Sequence, residues 1–413
     1  MKPPITPGAV RPTILDALDY ANALGDLPKS AIRAFVEERG DITLAELELN
    51  SLARMELLIA LEVEHGVSVL PDELAGFSSL GELARCVAAR TQTAKPPTLG
   101  ETVIAVDDTA SPANHPQSVR LYRRGLRLSR TANQLNKLHI SLENRLTPPE
   151  LEEIRTWARQ PSPTGAELHP DTKAWLERLD ALDAQSPREA PAPFQACRVA
   201  PGIRHCVGPG ERRDKSLLLC FTTRASRMMM PLPVFLQYID PSRFDLLIIA
   251  DGHRTSFEGG APHLGTTLDE VINTVGELAV LRDYASLRTL GCSGGGYPAI
   301  VAAQQLGAEL GVSVGGRFEH GQRLARWRKV RRTRTGTSGR GMTLLLIYGA
   351  EKTRDQKFAT AIARASGATR MPLQVADDEL GHLVLDKLRA RGELKALLDA
   401  TICQPAPGPS PIR

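Results

Sequence analysis

The second half of the chain alternates short apolar runs with helical segments, and this alternation constrains the fold most. Four runs predict strands: Ser216–Thr223, Phe244–Ala250, Leu287–Gly291 and Met342–Tyr348. Three segments have helical spacing: Thr267–Arg282, Tyr297–Leu306 and Gln356–Ser366. All the strand runs but the third are almost continuously apolar, which is typical of strands covered on both faces in a mostly parallel sheet. We therefore expect an α/β domain over residues 196–402, with helices on both faces of its sheet.

The first part of the chain predicts a different architecture. Apolar residues recur at helical spacing in Lys29–Gly40, from Ser51 to about Gly66, and in Leu80–Ala89. A small all-α bundle of the four-helix type is expected over residues 29–92. The remaining predicted parts are an N-terminal extension (1–28), a linker rich in Pro, Thr and Ser (93–117), a charged helical region (118–195) and a flexible tail (403–413).

Composition excludes several classes of protein. A length of 413 residues predicts two or three domains, and a net charge of +4 is too small to argue for nucleic acid. No run approaches a membrane span, and the first residues lack the apolar segment of a secretory signal. The six cysteines have no metal-ligand spacing, so we expect reduced thiols, no metal site and a cytoplasmic protein.

The most specific motif of the helical part is LELNSLARMELLIALEVEHGVSV, Leu47–Val69. It resembles an acyl carrier protein, with Ser51 at the start of the second helix. The resemblance implies that a phosphopantetheinyl transferase attaches 4′-phosphopantetheine from coenzyme A to Ser51. A helix N-terminus favours such a phosphate. Asn50 stands where the family usually has Asp, which affects the efficiency of attachment. The alternative is that Ser51 only caps the helix.

The most specific motif of the α/β part is Gly291–Gly295, GCSGG, at the end of a predicted strand and before a helix. This context is that of a nucleophile elbow, which predicts Ser293 as a nucleophile followed along the chain by an acid and a histidine. His382 lies where an α/β-hydrolase has its histidine. We expect the acid to be Asp355, with Glu351 in reserve.

Other residues near these positions are weaker candidates. The oxyanion hole is expected to use the backbone N–H of Gly294 and that of Thr223 or Arg224. His253 and His263 are candidates to line a pocket. Asp377 and Asp378 lie too near His382 in sequence to rank as the acid. The plain alternatives are a glycine-rich turn at Ser293, an ordinary loop histidine at 382 and a helix cap at Asp355.

Between Gly315 and Gly341 the chain carries nine basic residues and one acid, Glu319. A solvated insertion is the plain interpretation. A nucleic-acid patch is disfavoured because only Phe318 and Trp327 are available for stacking. The third interpretation is a docking surface for the acidic residues of the carrier-like region, through arginines that include Arg326, Arg328, Arg331 and Arg332.

The two motifs together suggest a function that neither suggests alone. A carrier fused to an α/β-hydrolase resembles the terminal units of polyketide and peptide synthases, in which a thioesterase releases or transfers the chain. We therefore expect a serine acyl hydrolase or acyltransferase that acts on tethered acyl groups, with acyl-loading enzymes or synthase modules as partners. Two alternatives stay open: a non-catalytic carrier and scaffold that binds acyl cargo or a partner, and an esterase or peptidase independent of its carrier.

Overall fold

The computed structural model of the chain describes residues 5–20, 23–24, 27–47, 49, 51–91, 116–129, 132–160, 168–200, 203–223, 225–252, 256–318, 342–375 and 383–404. The chain divides into two units, Met1–Leu142 with Ser162–Trp175, and Glu143–Pro161 with Leu176–Arg413. Within these described ranges, no helix has the length and apolar character needed to cross a membrane.

The first unit is built from helices. They are α1 (Pro7–Tyr20), α2 (Lys29–Val36), α3 (Ser51–His65), α4 (Pro71–Ala75), α5 (Leu80–Thr91), α6 (Gln117–Leu128) and α7 (Ala132–Glu143), whose last residue belongs to the second unit. The predicted helices of the carrier-like region are present as α2, α3 and α5. Buried Phe35, Leu57, Leu61 and Leu83 share one core between them. The expected all-α bundle is therefore confirmed.

Helix α1 differs from the prediction, because it falls in the range expected to be an extension. Its Val10, Ile14 and Leu18 are fully buried in the same core as α3 and α5. The buried Arg11 guanidinium donates to the Phe35 carbonyl and lies 4.6 Å from the centre of the Phe35 ring. Residues Pro7–Tyr20 are thus a packed helix of the bundle. The domain boundary predicted at residue 29 therefore falls within the bundle and not at its start.

Asp41, in the loop after α2, forms hydrogen bonds with the start of α5. Its carboxylate accepts hydrogen bonds from Ser79 Oγ (2.7 Å), the Gly81 N–H (2.8 Å) and the Ile42 N–H (2.9 Å). Burial alone would raise the pKa of Asp41, but these hydrogen bonds outweigh it and leave that pKa below its usual range. The ionised carboxylate therefore stabilises the folded bundle.

Replacement of Asp41 by Ala is expected to lower the free energy of unfolding of the bundle by about 1 kcal/mol at pH 7, as the loss of a helix cap does. Because the folded-state pKa is lowered, Asp41 stabilises above its unfolded pKa, near 4, and this contribution is lost as the pH falls through the folded value. Urea unfolding of both proteins at pH 7 and pH 3 measures the difference, which should shrink at pH 3. An equal difference at both values would contradict the assignment.

The second unit begins with two helices and continues into an α/β domain. The helices are α8 (Pro148–Arg159), α9 (Pro170–Asp183, in this unit from Leu176 on), α10 (Leu232–Leu236), α11 (Leu268–Gly276), α12 (Gly296–Leu306), α13 (Thr353–Ser366), α14 (Val384–Ala390) and α15 (Leu394–Ala400). The strands are β1 (Gln195–Ala200), β2 (Ile203–Val207), β3 (Ser216–Phe221), β4 (Phe244–Ile249), β5 (Ser286–Cys292), β6 (Leu310–Val314), β7 (Thr343–Gly349) and β8 (Thr369–Leu373).

The eight strands form one sheet in the order β1-β2-β4-β3-β5-β6-β7-β8. β2 is antiparallel to both β1 and β4, and all other pairs are parallel. Alternate residues of β3 enter opposite cores: Leu218 packs with residues of α10, α14 and α15, whereas Leu219 packs with residues of α11, α12 and α13. The sheet is therefore covered by helices on both faces, as the sequence predicts.

The predicted strands correspond to β3, β4, β5 and β7, with shifts of one or two residues at their ends. β1, β2, β6 and β8 are not among them. The predicted tail also begins later than residue 403: Cys403 is buried, and its carbonyl accepts from Arg243 Nη2 at 2.6 Å. Arg243 donates to the Cys403 carbonyl and Arg288 to the Gln404 carbonyl. The chain is therefore held by hydrogen bonds at least to Gln404.

Candidate active site

The turn between β5 and α12 gives Ser293 an unusual backbone. β5 ends at Cys292, a short 3-10 turn covers Ser293–Gly295, and α12 begins at Gly296. Ser293 has φ +50°, in the left-handed region that residues other than glycine seldom adopt. Such strain is held in place by the surrounding structure and is typical of functional turns. The turn therefore has the form of a nucleophile elbow, in which the serine follows a central strand of the sheet.

The two glycines around the serine are required by close backbone packing. A Cβ atom on Gly291 would overlap the carbonyl oxygen of Gly295, and one on Gly295 would overlap the carbonyl oxygen of Phe221. Both contacts are with backbone, which cannot rotate away as a side chain can. The G-x-S-x-G pattern is thus a steric consequence of how tightly α12 starts against β3 and β5.

The acid candidate Asp355 lies in the position that follows β7. It is the third residue of α13 and only 2% exposed, whereas the reserve candidate Glu351 is exposed. Arg317, beyond the end of β6, places its Nε 3.5 Å from Asp355 Oδ1. The backbone N–H of Arg317 donates to the Ser293 carbonyl at 3.1 Å. Arg317 therefore connects Ser293 and Asp355. It is also the first basic residue of the stretch Gly315–Gly341, so that stretch starts next to both candidate residues.

Several predicted site residues lie outside the described residues. They are His382, His253, Arg224, Asp377, Asp378 and the basic stretch from Glu319 on, including Arg326, Arg328, Arg331 and Arg332. The chain order is nevertheless informative for His382, since β8 ends at Leu373 and α14 begins at Val384. His382 thus follows the last strand, as the histidine of an acid-then-histidine order does. His263, the other pocket candidate, is exposed and has φ +64°.

Two of the backbone positions expected to form the oxyanion hole, Gly294 and Thr223, are among the described residues. Gly294, directly after Ser293, is buried. Thr223 follows β3, but its N–H donates to the Arg227 carbonyl at 2.8 Å, and its Oγ1 accepts from the Arg227 N–H at 3.3 Å. The Thr223 N–H is therefore engaged within its own loop, and Arg224, the other predicted donor of this loop, lies outside the described residues.

Sequence reasoning missed one neighbour of the elbow, Ser256. Ser256 and Phe257 both have left-handed backbone, with φ +54° and +63°. A Cβ on Gly294 would come within 2.8 Å of Ser256 Oγ, so this buried hydroxyl lies against the turn. No motif marks Ser256. The only signal in the sequence is its position in the loop after β4, whose carboxyl end meets those of β3 and β5 at one edge of the sheet.

In the helical unit, Ser51 is the first residue of α3. The helix is held in the core by Leu57, Leu58 and Leu61, so its N-terminus is fixed in the bundle. The first N–H groups of a helix have no partner within it and favour a phosphate. The position of Ser51 thus suits a phosphodiester-linked group.

One family model matches the chain. It is the model of the phosphopantetheine attachment site, and it covers residues 35–87. Residues 35–87 are a phosphopantetheine carrier domain. The cofactor of this domain is 4′-phosphopantetheine, a flexible arm attached covalently. The match contains α3 whole and most of the helical core around it, but not the buried residues of α1.

Solved structures similar to the chain include three hydrolases. One is a dienelactone hydrolase from Anabaena variabilis, with 12% identity, a TM-score of 0.31, and coverage of 48% of this chain and 95% of that one. The second is a 2,6-dihydroxy-pseudo-oxynicotine hydrolase, with 13% identity, a TM-score of 0.34, and coverage of 75% of this chain and 95% of that one. The third is a siderophore hydrolase from Aspergillus nidulans, with 11% identity, a TM-score of 0.33, and coverage of 52% of this chain and 96% of that one. No curated protein sequence matches the chain. Such distant likenesses bear on no activity, and the α/β-hydrolase fold rests here on the strand order and the elbow.

The packing of the elbow predicts a large cost for Gly295→Ala. Its Cβ would overlap backbone of β3, so we expect the free energy of unfolding of the second unit to fall by about 1–3 kcal/mol. Gly367→Ala is the matched control, since Gly367 has φ +76° but no atom within 4 Å of an added Cβ, and only local strain of about 1 kcal/mol is expected. Urea unfolding compares them. A Gly295→Ala protein as stable as the wild type would contradict the packing described.

Proposed function

We propose that the chain is a carrier-linked serine hydrolase or acyltransferase of the thioesterase type. One observation supports the proposal above the others: the left-handed Ser293 at the end of a central strand, in a chain that also holds a phosphopantetheine carrier domain. The carrier domain presents acyl groups, and the elbow presents a hydroxyl suited to attack them. Acyl transfer is the reaction class that uses both.

The chemistry follows the acid–histidine–serine order. His382 accepts the proton of Ser293 Oγ, and the oxygen attacks the carbonyl carbon of an acyl thioester. The Gly294 N–H and a second N–H from the loop after β3, at position 224 or 223, stabilise the oxyanion. His382 then returns the proton to the departing thiolate. Water or another acceptor releases the acyl group from Ser293 in a second step.

Asp355 is the residue proposed to orient His382. It is buried and follows β7, where an acid fixes the histidine tautomer and stabilises the imidazolium. Arg317 Nε lies 3.5 Å from Asp355 Oδ1, so a positive charge faces this carboxyl group.

Ser51 is the proposed attachment residue, as the first residue of α3 within the matched range. 4′-Phosphopantetheine supplies a terminal thiol that carries acyl groups as thioesters. A phosphopantetheinyl transferase with coenzyme A and acyl-loading enzymes or synthase modules are the partners this implies. Asn50, directly before Ser51, is expected to slow attachment without preventing it.

The test is an intact-mass time course on the full chain. Wild type and Ser293→Ala are loaded with an acyl-phosphopantetheine arm by a phosphopantetheinyl transferase and acyl coenzyme A, and a Ser51→Ala protein should take up no arm. We expect the wild type to lose the acyl mass and keep the arm, while Ser293→Ala keeps both.

Three other outcomes are informative. Release only after an alcohol, an amine or a second carrier is added would identify a transferase. Turnover of free esters that Ser51→Ala leaves unchanged, without loss of the tethered acyl group, would favour an independent esterase. Retention of the acyl group by both proteins under every condition would contradict the proposal and favour the non-catalytic carrier and scaffold.

A further inference from the structure

The loop after β3 is folded into a tight turn by its own backbone. The Thr223 N–H donates to the Arg227 carbonyl, and the Ser226 N–H donates to the Thr223 carbonyl, both at 2.8 Å. Ser226 and Met229 have left-handed backbone, with φ +56° and +63°. Ser226 lies within the turn and Met229 just after it, and neither residue favours this conformation, so the turn needs support from outside.

That support comes from Glu143 and Asn144, at the end of α7 and directly after it. Arg227 Nη2 lies 2.7 Å from Glu143 Oε2, and the exposed fractions of the two side chains are 16% and 0%. Next to this pair, Asn144 Nδ2 donates to the Ala225 carbonyl at 3.1 Å. Two neighbouring residues thus hold both a side chain and a carbonyl of the same turn.

The ion pair is strong because Glu143 is removed from water. A buried carboxylate without a cation is strongly disfavoured, so Glu143 favours a state with its guanidinium partners in place. Its other oxygen is bound by Arg178, which is half exposed and does not belong to the turn. Of the two arginines, Arg227 is therefore the one through which Glu143 acts on the loop.

We propose that Glu143 is a positioning residue for the oxyanion hole. Acting through Arg227, and together with Asn144 on the Ala225 carbonyl, it holds the loop after β3, which is the loop proposed to supply the second donor of the oxyanion hole. The inference rests on the proposed function, since it concerns the same site. It also gives a role to residues between the carrier domain and β1 that carry no motif.

The experiment uses the full holo chain with a short-chain p-nitrophenyl ester as the probe substrate. Glu143→Gln and Arg227→Gln should each lower kcat by about 10-fold to 100-fold with KM nearly unchanged, because the contact matters in the transition state. The double variant should lose no more than either single variant, since both act through one contact.

Two controls separate positioning from general destabilisation. Arg178→Gln removes a second arginine that pairs with Glu143, and Asp183→Asn breaks the 2.7 Å Arg155–Asp183 pair, which lies in the same unit and contains no residue of the turn. Both should keep kcat within twofold of the wild type even if their thermal midpoints fall. Glu143→Gln with unchanged kcat, or a loss of kcat in both controls equal to its own, would overturn the inference.

The outcomes also distinguish this inference from the proposed function. A wild type that neither hydrolyses the ester nor reacts with a fluorophosphonate refutes both. An active wild type beside an equally active Glu143→Gln refutes the positioning role alone. Should Glu143→Gln fail to fold, Arg227→Lys decides, because it keeps the charge but loses the planar fork: a lower kcat at unchanged KM supports the role, and an unchanged kcat overturns it.

Discussion

The close contact between the Gly295 region of the elbow and the carbonyls at the end of β3 is the constraint on which the site depends. It brings the first turn of α12 against two central strands, and Ser293 at that turn adopts the left-handed region. The glycines at 291 and 295 follow from the same contact. A hydroxyl is thereby presented at the carboxyl edge of the sheet, where the loops after β3, β4, β6 and β7 begin.

Charged groups that appear unrelated along the chain are organised around this edge. Arg317 links the Ser293 carbonyl to the buried Asp355, and Glu143 with Arg227 supports the turn after β3. Each pair joins a cation to a buried carboxylate, an arrangement that is costly to break from either side. The opposite edge of the sheet has its own buried pair: Lys215 Nζ lies 2.8 Å from Asp245 Oδ1, in a network with Tyr284. Both edges are thus fixed by buried charges.

The sequence predicts those parts of the molecule that depend on residues close together in the chain. Uniform burial makes β3, β4 and β7 continuous apolar runs, and the steric demand of the elbow leaves a five-residue pattern. β1 is an edge strand, and β2 beside it has Arg, His and Cys among its five residues, so neither forms a continuous apolar run that the sequence could mark. The sequence predicts an extension where helix α1 lies, although the apolar face of α1 completes the bundle. The roles of Arg317 and Glu143 depend on partners far along the chain, which one sequence does not reveal.

The central claim is that the elbow makes Ser293 a nucleophile. The most direct measurement is the reaction of the full chain with a fluorophosphonate probe, followed by mapping of the modified peptide by mass spectrometry. The account predicts one adduct, on Ser293, that is absent from Ser293→Ala and from heat-unfolded wild type. An intact, folded protein that forms no adduct at Ser293, or that reacts equally at other serines, would contradict it.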